Sequence, residues 1–537
     1  AAACIDAGQF AGTAPDEVVI ERPKNPEHGD YATNVALRLA KPAGRPAREV
    51  AEAIAVRLRT TDGIDRVDVA GPGFLNITLG AGTLGAVARA IVAAGGGYGH
   101  SQDLAGQRIN LEFVSANPTG PVHLGHTRWA ALGDSLHRLL EAAGAEVASE
   151  HYINDFGGQV AKFGQSLYAA AHGRPVPDDG YHGAYVDDVA KQLVAADPGL
   201  LELAGDDAVN AFTEAGYEQM LEQIRTSLGR FRVEFDVWFS ERRMHEGGEV
   251  DRAVETLRKQ GHVYDADGAV WVRTTDFGDD KDRVLIRSNG EKTYFAADCA
   301  YYLDKRGRGF DRCVYMLGAD HHGYVGRLRT VASCAGDDPT QTLEVLIGQL
   351  VKLVQNGEEL RLSKRAGTIV TLDDFVDLVG VDAGRYSLAR WSADTPLTLD
   401  IAEVTKKSND NPVYYVQYAH ARTCNAALNA QSFGIGLDVF EPELLTSPYE
   451  AALLTALGEF PRVVSTAAEL RAPHRVARYL EDLAADYHRW YDNCRIVPQG
   501  DDEITAVNRT RAWVNEATRV VLANGLELLG VTAPARM

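Results

Sequence analysis

The sequence predicts a multidomain α/β protein, with a central parallel-sheet domain between a small α/β domain and a C-terminal bundle of helices. Three observations support this fold class. Between Arg108 and Gly144 the chain passes from an apolar run, through a turn rich in glycine and proline, into helical spacing. Residues 1–105 mix helical spacing with alternating segments, whereas the pattern from about residue 395 is helical throughout. A chain of 537 residues has room for about three or four domains.

The predicted N-terminal domain spans residues 1–105. Residues 32–39 and 47–58 have helical spacing, and VDVAGPGFLNITL alternates like a strand that a glycine turn interrupts. The chain begins AAACIDAGQF without a methionine, so we expect the native start to lie upstream. This beginning has neither a basic segment nor a long apolar core, and no secretory signal is therefore expected.

The central domain is predicted over residues 106–390. Its apolar run, 109–114, leads through a turn to His123-Leu124-Gly125-His126, where a helix begins. A strand followed by a tight turn and a helix predicts a Rossmann-like sheet that offers backbone N–H groups and a helix dipole to a nucleotide phosphate. We expect an insertion at about 170–290. Shortly after it, KTYFAADCAYY has the apolar character of a strand.

Residues 391–537 are predicted to form an all-α bundle. No run of eighteen apolar residues is present, so no membrane span is expected. The six cysteines are scattered without a C-x-x-C pair, which argues against a zinc site and a disulfide scaffold and favours a reducing cytoplasm. A net charge of −21 neither supports nor excludes a nucleic-acid partner, because only the local field at a contact surface matters.

Motifs along the whole chain resemble one enzyme family. HLGH at 123–126 resembles the HIGH signature of class I aminoacyl-tRNA synthetases, and EFVSANPTGPVHLGH resembles its arginyl-tRNA synthetase form. Residues 361–365, RLSKR, resemble the KMSKS loop, with Arg361 and Leu362 in place of the usual Lys and Met. Similar matches occur in NPEHGDYATNVALRLAK, in NPVYYVQYAHARTC and at the C-terminal LLGVTAPARM. The alternative for the histidine pair is a capped and solvated helix start.

The resemblance implies an arginine–tRNA ligase of bacterial type. Such an enzyme activates L-arginine with ATP to arginyl-adenylate, with tRNA already bound, and transfers it to the 3′ end of tRNA(Arg). Mg²⁺ would be carried mainly by the triphosphate, without zinc, and the protein would be a cytoplasmic monomer with no membrane partner. The residues that this implies for catalysis and ATP binding are His123, Gly125, His126, His322, Ser363 and Lys364.

Two acidic residues are candidates for arginine specificity. A guanidinium offers five fixed donors and is best matched by carboxylates. Glu112 lies in an apolar run, where burial is costly unless a cation pairs with it, and Tyr294 and Asp298 would share one face of a helix. The family assigns Glu112 and Asp298 to the guanidinium and Tyr294 to packing beside it, with Ser115 and Asn117 at the amino-acid end. The alternatives are a salt bridge to a protein arginine for Glu112 and a helix-surface carboxylate for Asp298.

The same resemblance predicts tRNA contacts at both ends of the chain. Phe74 and Asn76 would face the D-loop, unless Phe74 is core and Asn76 fixes a turn. Tyr415, Tyr418 and Arg422 line one helical stripe that suits the stacking of anticodon bases, and the C-terminal Met537 would lie near them. On spacing alone, core packing is the more usual explanation of such a stripe.

Three other functions share parts of this pattern. A class I synthetase for another amino acid would keep both signatures, but a cysteine enzyme would need zinc-binding thiolates and an editing enzyme a larger insertion. An HxGH nucleotidyltransferase for a small metabolite would need neither flanking domain. An inactive RNA-binding paralogue would not need His123, His126 and Lys364.

Overall fold

A computed structural model describes residues 1–13, 15, 18–23, 25–355, 357–359, 370–500 and 502–537 of the chain. Its first unit is an antiparallel sheet in the order β1-β2-β4-β3, packed against helices. The elements are α1 Ala2–Asp6, β1 Ile20–Glu21, β2 Tyr31–Thr33, α2 Val35–Ala43, α3 Ala47–Leu58, β3 Ile64–Ala70, β4 Phe74–Leu79 and α4 Ala81–Ala94. The helix expected from residue 32 begins at Val35, because Tyr31–Thr33 pairs as a strand with β4.

The central unit is a five-stranded parallel sheet in the order β12-β11-β5-β6-β7. Its strands are β5 Arg108–Glu112, β6 Glu146–Ile153, β7 Val237–Ser240, β11 Arg312–Gly318 and β12 Leu343–Gly348. The helices of this region are α5 Leu124–Ala142, α6 Gly158–Ala171, α7 Ala184–Ala196, α8 Gly205–Arg230, α9 Glu241–Glu246, α10 Glu249–Lys259, α11 Tyr294–Gly307, α12 Tyr324–Cys334 and α13 Pro339–Thr342. The predicted Rossmann-like sheet is confirmed.

A small antiparallel sheet precedes α11. Its strands, in the order β10-β9-β8, are β8 Val263–Ala266, β9 Ala269–Val272 and β10 Arg283–Ile286. The strand expected in KTYFAADCAYY is wrong, because Tyr294 begins the helix α11. The Thr293 side chain caps that helix by accepting a hydrogen bond from Ala296 N, and a threonine cap outweighs the strand preference of the aromatic residues.

The remaining chain is mostly helical and begins with a third small sheet. This sheet has the order β14-β13-β15, with β13 Val351–Gln355, β14 Glu358–Glu359 and β15 Leu397–Asp400. The strand β15 lies in the segment expected to be helical throughout. The helices are α14 Leu372–Val379, α15 Val381–Ala389, α16 Ile401–Val404, α17 Pro412–Ser432, α18 Pro448–Gly458, α19 Phe460–Glu469, α20 His474–Asn493 and α21 Ala506–Leu528. In the described part of the chain, no helix is long and apolar enough to cross a membrane.

One buried guanidinium ties three parts of this fold together. Arg385 on α15 is fully buried and forms an ion pair with Asp134 on α5. It also donates to the backbone carbonyls of Phe231, Arg232 and Leu529, which follow α8 and α21. Burial lowers the pKa of Arg385, and the charge is retained because Asp134 and the three carbonyls replace the lost water.

Arg385→Leu is expected to lower the free energy of unfolding by about 3–5 kcal/mol, because it removes the buried cation of Asp134, which keeps only the part-exposed Arg138, and leaves three backbone carbonyls without their donor. The midpoint of the first urea-induced unfolding transition measures this loss. Arg252→Leu is the matched control: Arg252 pairs with Glu249 on an exposed helix face, where an ion pair contributes less than about 1 kcal/mol. Equal midpoints for the two variants would contradict the structural role of Arg385.

Candidate active site

The candidate site lies at the carboxyl edge of the central sheet, where the direction of strand addition reverses. The chain runs outward from β5 to β6 and β7, then crosses back to place β11 on the other side of β5. In open α/β sheets the crevice at such a reversal is where ligands bind. Glu112 ends β5 and Gly318 ends β11, so both strands deliver their following residues to this crevice.

The imidazole pair lies at the start of α5. His123 is the N-cap, its Nδ1 accepts a hydrogen bond from Gly125 N at 3.1 Å, and its ring centroid is 4.0 Å from that of His126. A Cβ at Gly125 would lie 2.9 Å from the His123 ring, so glycine makes room for that ring. The N–H groups of Leu124 and Gly125 are already bonded, which corrects the expectation that they await a phosphate. The positive end of the helix dipole lies beside the two imidazoles and attracts an anion there.

The second signature motif, residues 361–365 with Ser363 and Lys364, lies outside the described residues. The chain resumes beside the first signature: Leu124 N donates to Val370 O at 3.1 Å, and Leu372 N donates to Val122 O at 2.7 Å. A β-bridge also joins His123 to Thr371. The residues that follow the second motif are therefore anchored at the histidine pair.

Glu112 is buried against a protein cation. Its Oε2 accepts hydrogen bonds from Lys305 Nζ at 2.6 Å and Tyr301 OH at 2.8 Å, and its Oε1 accepts from Ser115 Oγ at 3.3 Å. Lys305 is completely buried on α11 and also lies 3.9 Å from Glu150. The alternative given for Glu112, a salt bridge within the protein, is therefore present in this structure, although the partner is a lysine rather than an arginine.

Asp298 lies one helical turn after the exposed Tyr294, as the four-residue spacing predicts. Its carboxylate accepts a hydrogen bond from Tyr324 OH and pairs with Arg327, both at 2.5 Å, so the side chain is not a solvated surface carboxylate. Burial raises the pKa of Asp298, and the negative charge of Glu112 raises it further. The charge of Glu112 thus reaches Asp298, and the two carboxyls predicted for the guanidinium belong to one cluster.

Glu241, which the sequence analysis missed, is a third carboxyl in this cluster. It begins α9 directly after β7, is 4% exposed and lies beside the Tyr152 hydroxyl. Burial raises the pKa of Glu241 to about 7, and the charges of Asp155 and Asp298 also raise it. The sequence does contain a signal for Glu241, because the apolar strand residues VWF lead directly to Ser240-Glu241. Glu112 is similarly placed within the apolar run LEFV.

The remaining predicted pocket residues differ in their surroundings. Ser115 is half-buried and bonds to Glu112, whereas Asn117 is exposed in the turn that leads to α5. His322 is exposed at the end of the short turn Ala319–His321 that follows β11. All three lie after the carboxyl ends of β5 or β11, at the same edge of the sheet as the histidine pair.

The predicted tRNA stripe forms a surface cluster of rings and one cation. Arg422 donates to Tyr418 OH at 3.2 Å and to His488 Nδ1 at 3.0 Å, and its guanidinium lies 5.0 Å from the Tyr491 ring centre. The Tyr415 ring packs 5.1 Å from that of His488. Burial, then Arg422, lower the pKa of His488 to about 4, so its ring is neutral. The side chains of this cluster are only partly buried, so they are not enclosed in the hydrophobic core.

The C-terminal tail packs on the same helix, α17. Gln417 donates to Thr532 O at 2.9 Å, His420 bonds to Pro534 O at 2.9 Å, and Met537 is exposed beyond them. In the N-terminal unit Phe74 is 40% exposed, so the alternative that it is core is wrong. Asn76 is buried within β4, opposite Ala32 and Asp68.

Family models match almost the whole chain. They are described as "Arginyl tRNA synthetase N terminal domain" over residues 1–79, "tRNA synthetases class I (R), catalytic domain" over 89–174 and 195–392, and "DALR anticodon binding domain" over 416–537. The parallel sheet with its histidine pair, together with these matches, defines a class I aminoacyl-tRNA synthetase.

Two similar proteins with known names narrow this class to one family. A protein of Kineococcus radiotolerans named arginine–tRNA ligase is 56% identical over 100% of this chain and 97% of its own length. One of Frankia alni with the same name is 57% identical over 99% of this chain and 96% of its own. This chain belongs to the arginyl-tRNA synthetase family, so the predicted family and enzyme class are confirmed. The Thermus thermophilus arginyl-tRNA synthetase structure, 22% identical over 100% of this chain and 98% of its own, has the same fold with a TM-score of 0.75.

Proposed function

We propose that this protein uses ATP to ligate L-arginine to the 3′ end of tRNA(Arg), with both steps at the carboxyl edge of the central sheet. One observation carries the proposal. At the carboxyl edge of the central sheet, carboxyls outnumber the cations that pair with them: Glu112, Glu150, Asp298 and Asp304 share Lys305, Arg308 and Arg327, and Glu241 lies beside the acidic Asp155 and Asp298. A guanidinium supplies the missing positive charge, because a buried carboxylate is stable only when a cation pairs with it.

In this proposal three carboxyls surround the guanidinium of arginine. Hydroxyl and amide groups bind the other end of the amino acid. Glu112, Asp298 and Glu241 come from β5, α11 and the end of β7, and they converge around Tyr152. Tyr294 packs beside the guanidinium from the exposed start of α11. Ser115 and Asn117, in the turn after Glu112, bind the α-amino and carboxylate groups.

Activation forms a bond between an arginine carboxylate oxygen and the α-phosphorus of ATP while the bond to pyrophosphate breaks. The 3′-terminal ribose hydroxyl of tRNA then attacks the arginyl carbonyl, and AMP leaves. His123 and His126, with Gly125 between them, would donate to phosphate oxygens, and His322 would lie on the ribose or adenine side. Ser363 and Lys364 would neutralise the departing pyrophosphate. This chemistry is mainly positioning and charge stabilisation.

ATP is the shared substrate of the class, and Mg²⁺ is proposed to arrive with it. Among the described residues, no three His, Cys, Asp or Glu side chains come together as a metal site. Mg²⁺ keeps several waters and is commonly held by substrate phosphates with one or two carboxylates, which suits this donor set. Its role would be to neutralise the triphosphate. All six cysteines are free thiols. We also propose that the protein is a monomer and acts in the cytoplasm.

The test is arginylation of purified tRNA with labelled arginine, together with ATP–pyrophosphate exchange in the presence and absence of tRNA. We expect arginine-dependent exchange only when tRNA is present, and charged tRNA only when ATP is added. Lysine in place of arginine should give neither, because an ammonium cannot match a planar fork of donors. Charging of another amino acid, or no charging at all, would refute the proposal.

Two further surfaces are proposed to bind tRNA. Residues 1–105 would contact the D-loop corner through the exposed Phe74, with the buried Asn76 two residues further along β4. Residues 391–537 would bind the anticodon through Tyr415, Tyr418, Arg422 and Met537. The catalytic domain would span 106–390, including the insertion at 170–290. The ring-and-guanidinium cluster supports the anticodon assignment, because aromatic rings beside an arginine at a protein surface are suited to stacking unpaired bases.

Tyr418→Ala is expected to raise the KM for tRNA about tenfold, because each stacked base contributes about 1–3 kcal/mol. The KM for arginine, measured at saturating tRNA, should not change. Tyr449→Ala is the control, since Tyr449 is an exposed tyrosine on α18 of the same bundle that lies outside the cluster. Steady-state arginylation with varied tRNA measures both, and an unchanged KM for tRNA in the Tyr418 variant would remove this helix from the interface.

A further inference from the structure

The turn between Glu112 and the histidine pair is strained. Val114 and Ser115 have φ values of 66° and 43°, a left-handed region that favours glycine. Ser115 N donates to Phe113 O at 2.9 Å, which closes a three-residue γ-turn of the rare positive-φ type. A β-branched residue such as valine is especially unfavourable there. Such strain persists only where surrounding contacts determine the conformation.

Those contacts come from the neighbouring strand β6. Ala116 N donates to His151 Nε2 at 3.2 Å, and Tyr152 N donates to Ser115 Oγ at 3.1 Å. The Ser115 hydroxyl in turn donates to Glu112. Two hydrogen bonds thus hold the strained turn against β6 immediately before Asn117. One of them is accepted by the His151 side chain, which the proposed mechanism does not use.

His151 is placed rigidly and is neutral. It is completely buried, its ring stacks on Trp238 at 4.4 Å, and the edge of Phe235 packs at 5.3 Å. Burial lowers its pKa to about 3, so Nε2 keeps the lone pair that accepts from Ala116. Within the described structure its Nδ1 is buried without a hydrogen-bond partner. A buried polar atom left unsatisfied costs stability, and the hydrogen bond that Nε2 accepts from Ala116 offsets part of this cost.

We propose that His151 is a positioning residue for arginine: it holds the Val114–Ser115 turn in its strained form, so that Ser115 and Asn117 face the amino-acid end of the substrate. The inference rests on the proposed function, because it assigns those two residues to arginine. His151 itself does not touch the substrate. It acts through the Ala116 N–H, and its loss allows the turn to relax away from the pocket.

The test compares arginylation kinetics of His151→Leu, His151→Gln, Val114→Gly and the His151→Leu/Val114→Gly double variant. In His151→Leu the KM for arginine should rise about tenfold or more, with the KM for ATP within about twofold of wild type. His151→Gln should restore most of the loss, because its amide oxygen can occupy the position of Nε2. Glycine at 114 adopts the turn without strain, so the double variant should recover at least about threefold relative to His151→Leu.

Equal changes in the KM values of arginine and ATP would overturn the inference, as would a glutamine variant as impaired as the leucine variant. A His151→Leu enzyme with wild-type kinetics would do the same. If His151→Leu does not fold, His151→Asn replaces it, since its shorter amide does not reach Ala116. A wild-type protein that fails to charge tRNA with arginine defeats the proposed function itself, whereas normal wild-type charging with a silent His151 variant defeats only this inference.

Discussion

Asp298→Asn is expected to lower kcat/KM for arginine by about 150- to 5,000-fold, which corresponds to the 3–5 kcal/mol lost when one partner of a buried ion pair, here between Asp298 and the guanidinium, is removed. The amide keeps the shape of the carboxylate but removes the charge that would meet the guanidinium. It also leaves Arg327, 2.5 Å from Asp298, as an uncompensated cation beside the incoming substrate. The effect should appear in kcat/KM for arginine in tRNA-dependent exchange, whereas the KM for ATP should change little.

Asp304→Asn is the matched control for this experiment. Asp304 lies on the same helix and pairs with Arg308 at 2.8 Å, and its 27% exposure is close to the 20% of Asp298. Its removal tests whether any loss of an acidic residue on α11 is enough. We expect kcat/KM to stay within about fivefold of wild type, as for a half-exposed pair. Similar losses in both variants would mean that Asp298 supports the helix rather than the substrate.

The sequence predicts this site where chemistry and chain proximity coincide. Glu112, Ser115, Asn117 and the histidine pair lie within fifteen residues, so a single strand–turn–helix unit places them together without knowledge of the rest of the fold. Asp298 is predictable only because a carboxylate one turn after Tyr294 fits a helix face. Its approach to Glu112 depends on the packing of α11 against the sheet.

The cations of the cluster could not be predicted in the same way. Lys305 follows Asp304 in the ordinary surface-like sequence YYLDKRG, yet it is completely buried because β5 and β6 present two carboxylates to that position. The strain at Val114 is invisible in sequence, since valine is a residue that normally favours strands. Both features arise from contacts between segments far apart in the chain, which local patterns do not encode.

Charge balance around Glu241 leads to a pH dependence. Its neighbours are Tyr152 from β6, Asp155 from the following loop, Asp298 from α11 and His245 on its own helix. Burial lowers the pKa of His245, so this imidazole does not supply a cation at neutral pH. The guanidinium needs the ionised form of Glu241, whose pKa is about 7 in the unliganded protein. Arginine binding should therefore release a proton from this carboxyl.

We expect the KM for arginine to be about tenfold higher at pH 6 than at pH 8, because protonation of one group with a pKa near 7 removes the binding form. In Glu241→Gln this dependence should disappear, and the KM should stay high at both values. Glu246→Gln, an exposed position on the same helix, should keep the wild-type profile. A wild-type KM that is constant between pH 6 and 8 would contradict the assignment of Glu241 to arginine.

The same raised pKa predicts that Glu241→Gln stabilises the protein while it weakens binding. Between the usual pKa of 4.5 and about 7, folded Glu241 holds a proton that the unfolded chain releases, so stability falls as pH rises through this window. Removing the ionisable group should therefore raise the free energy of unfolding by about 3 kcal/mol at pH 8 and by little at pH 4.5. Urea unfolding at the two pH values measures the difference. A purely structural glutamate would show the opposite sign, because its loss would destabilise the fold at pH 8, where its charge would be paired.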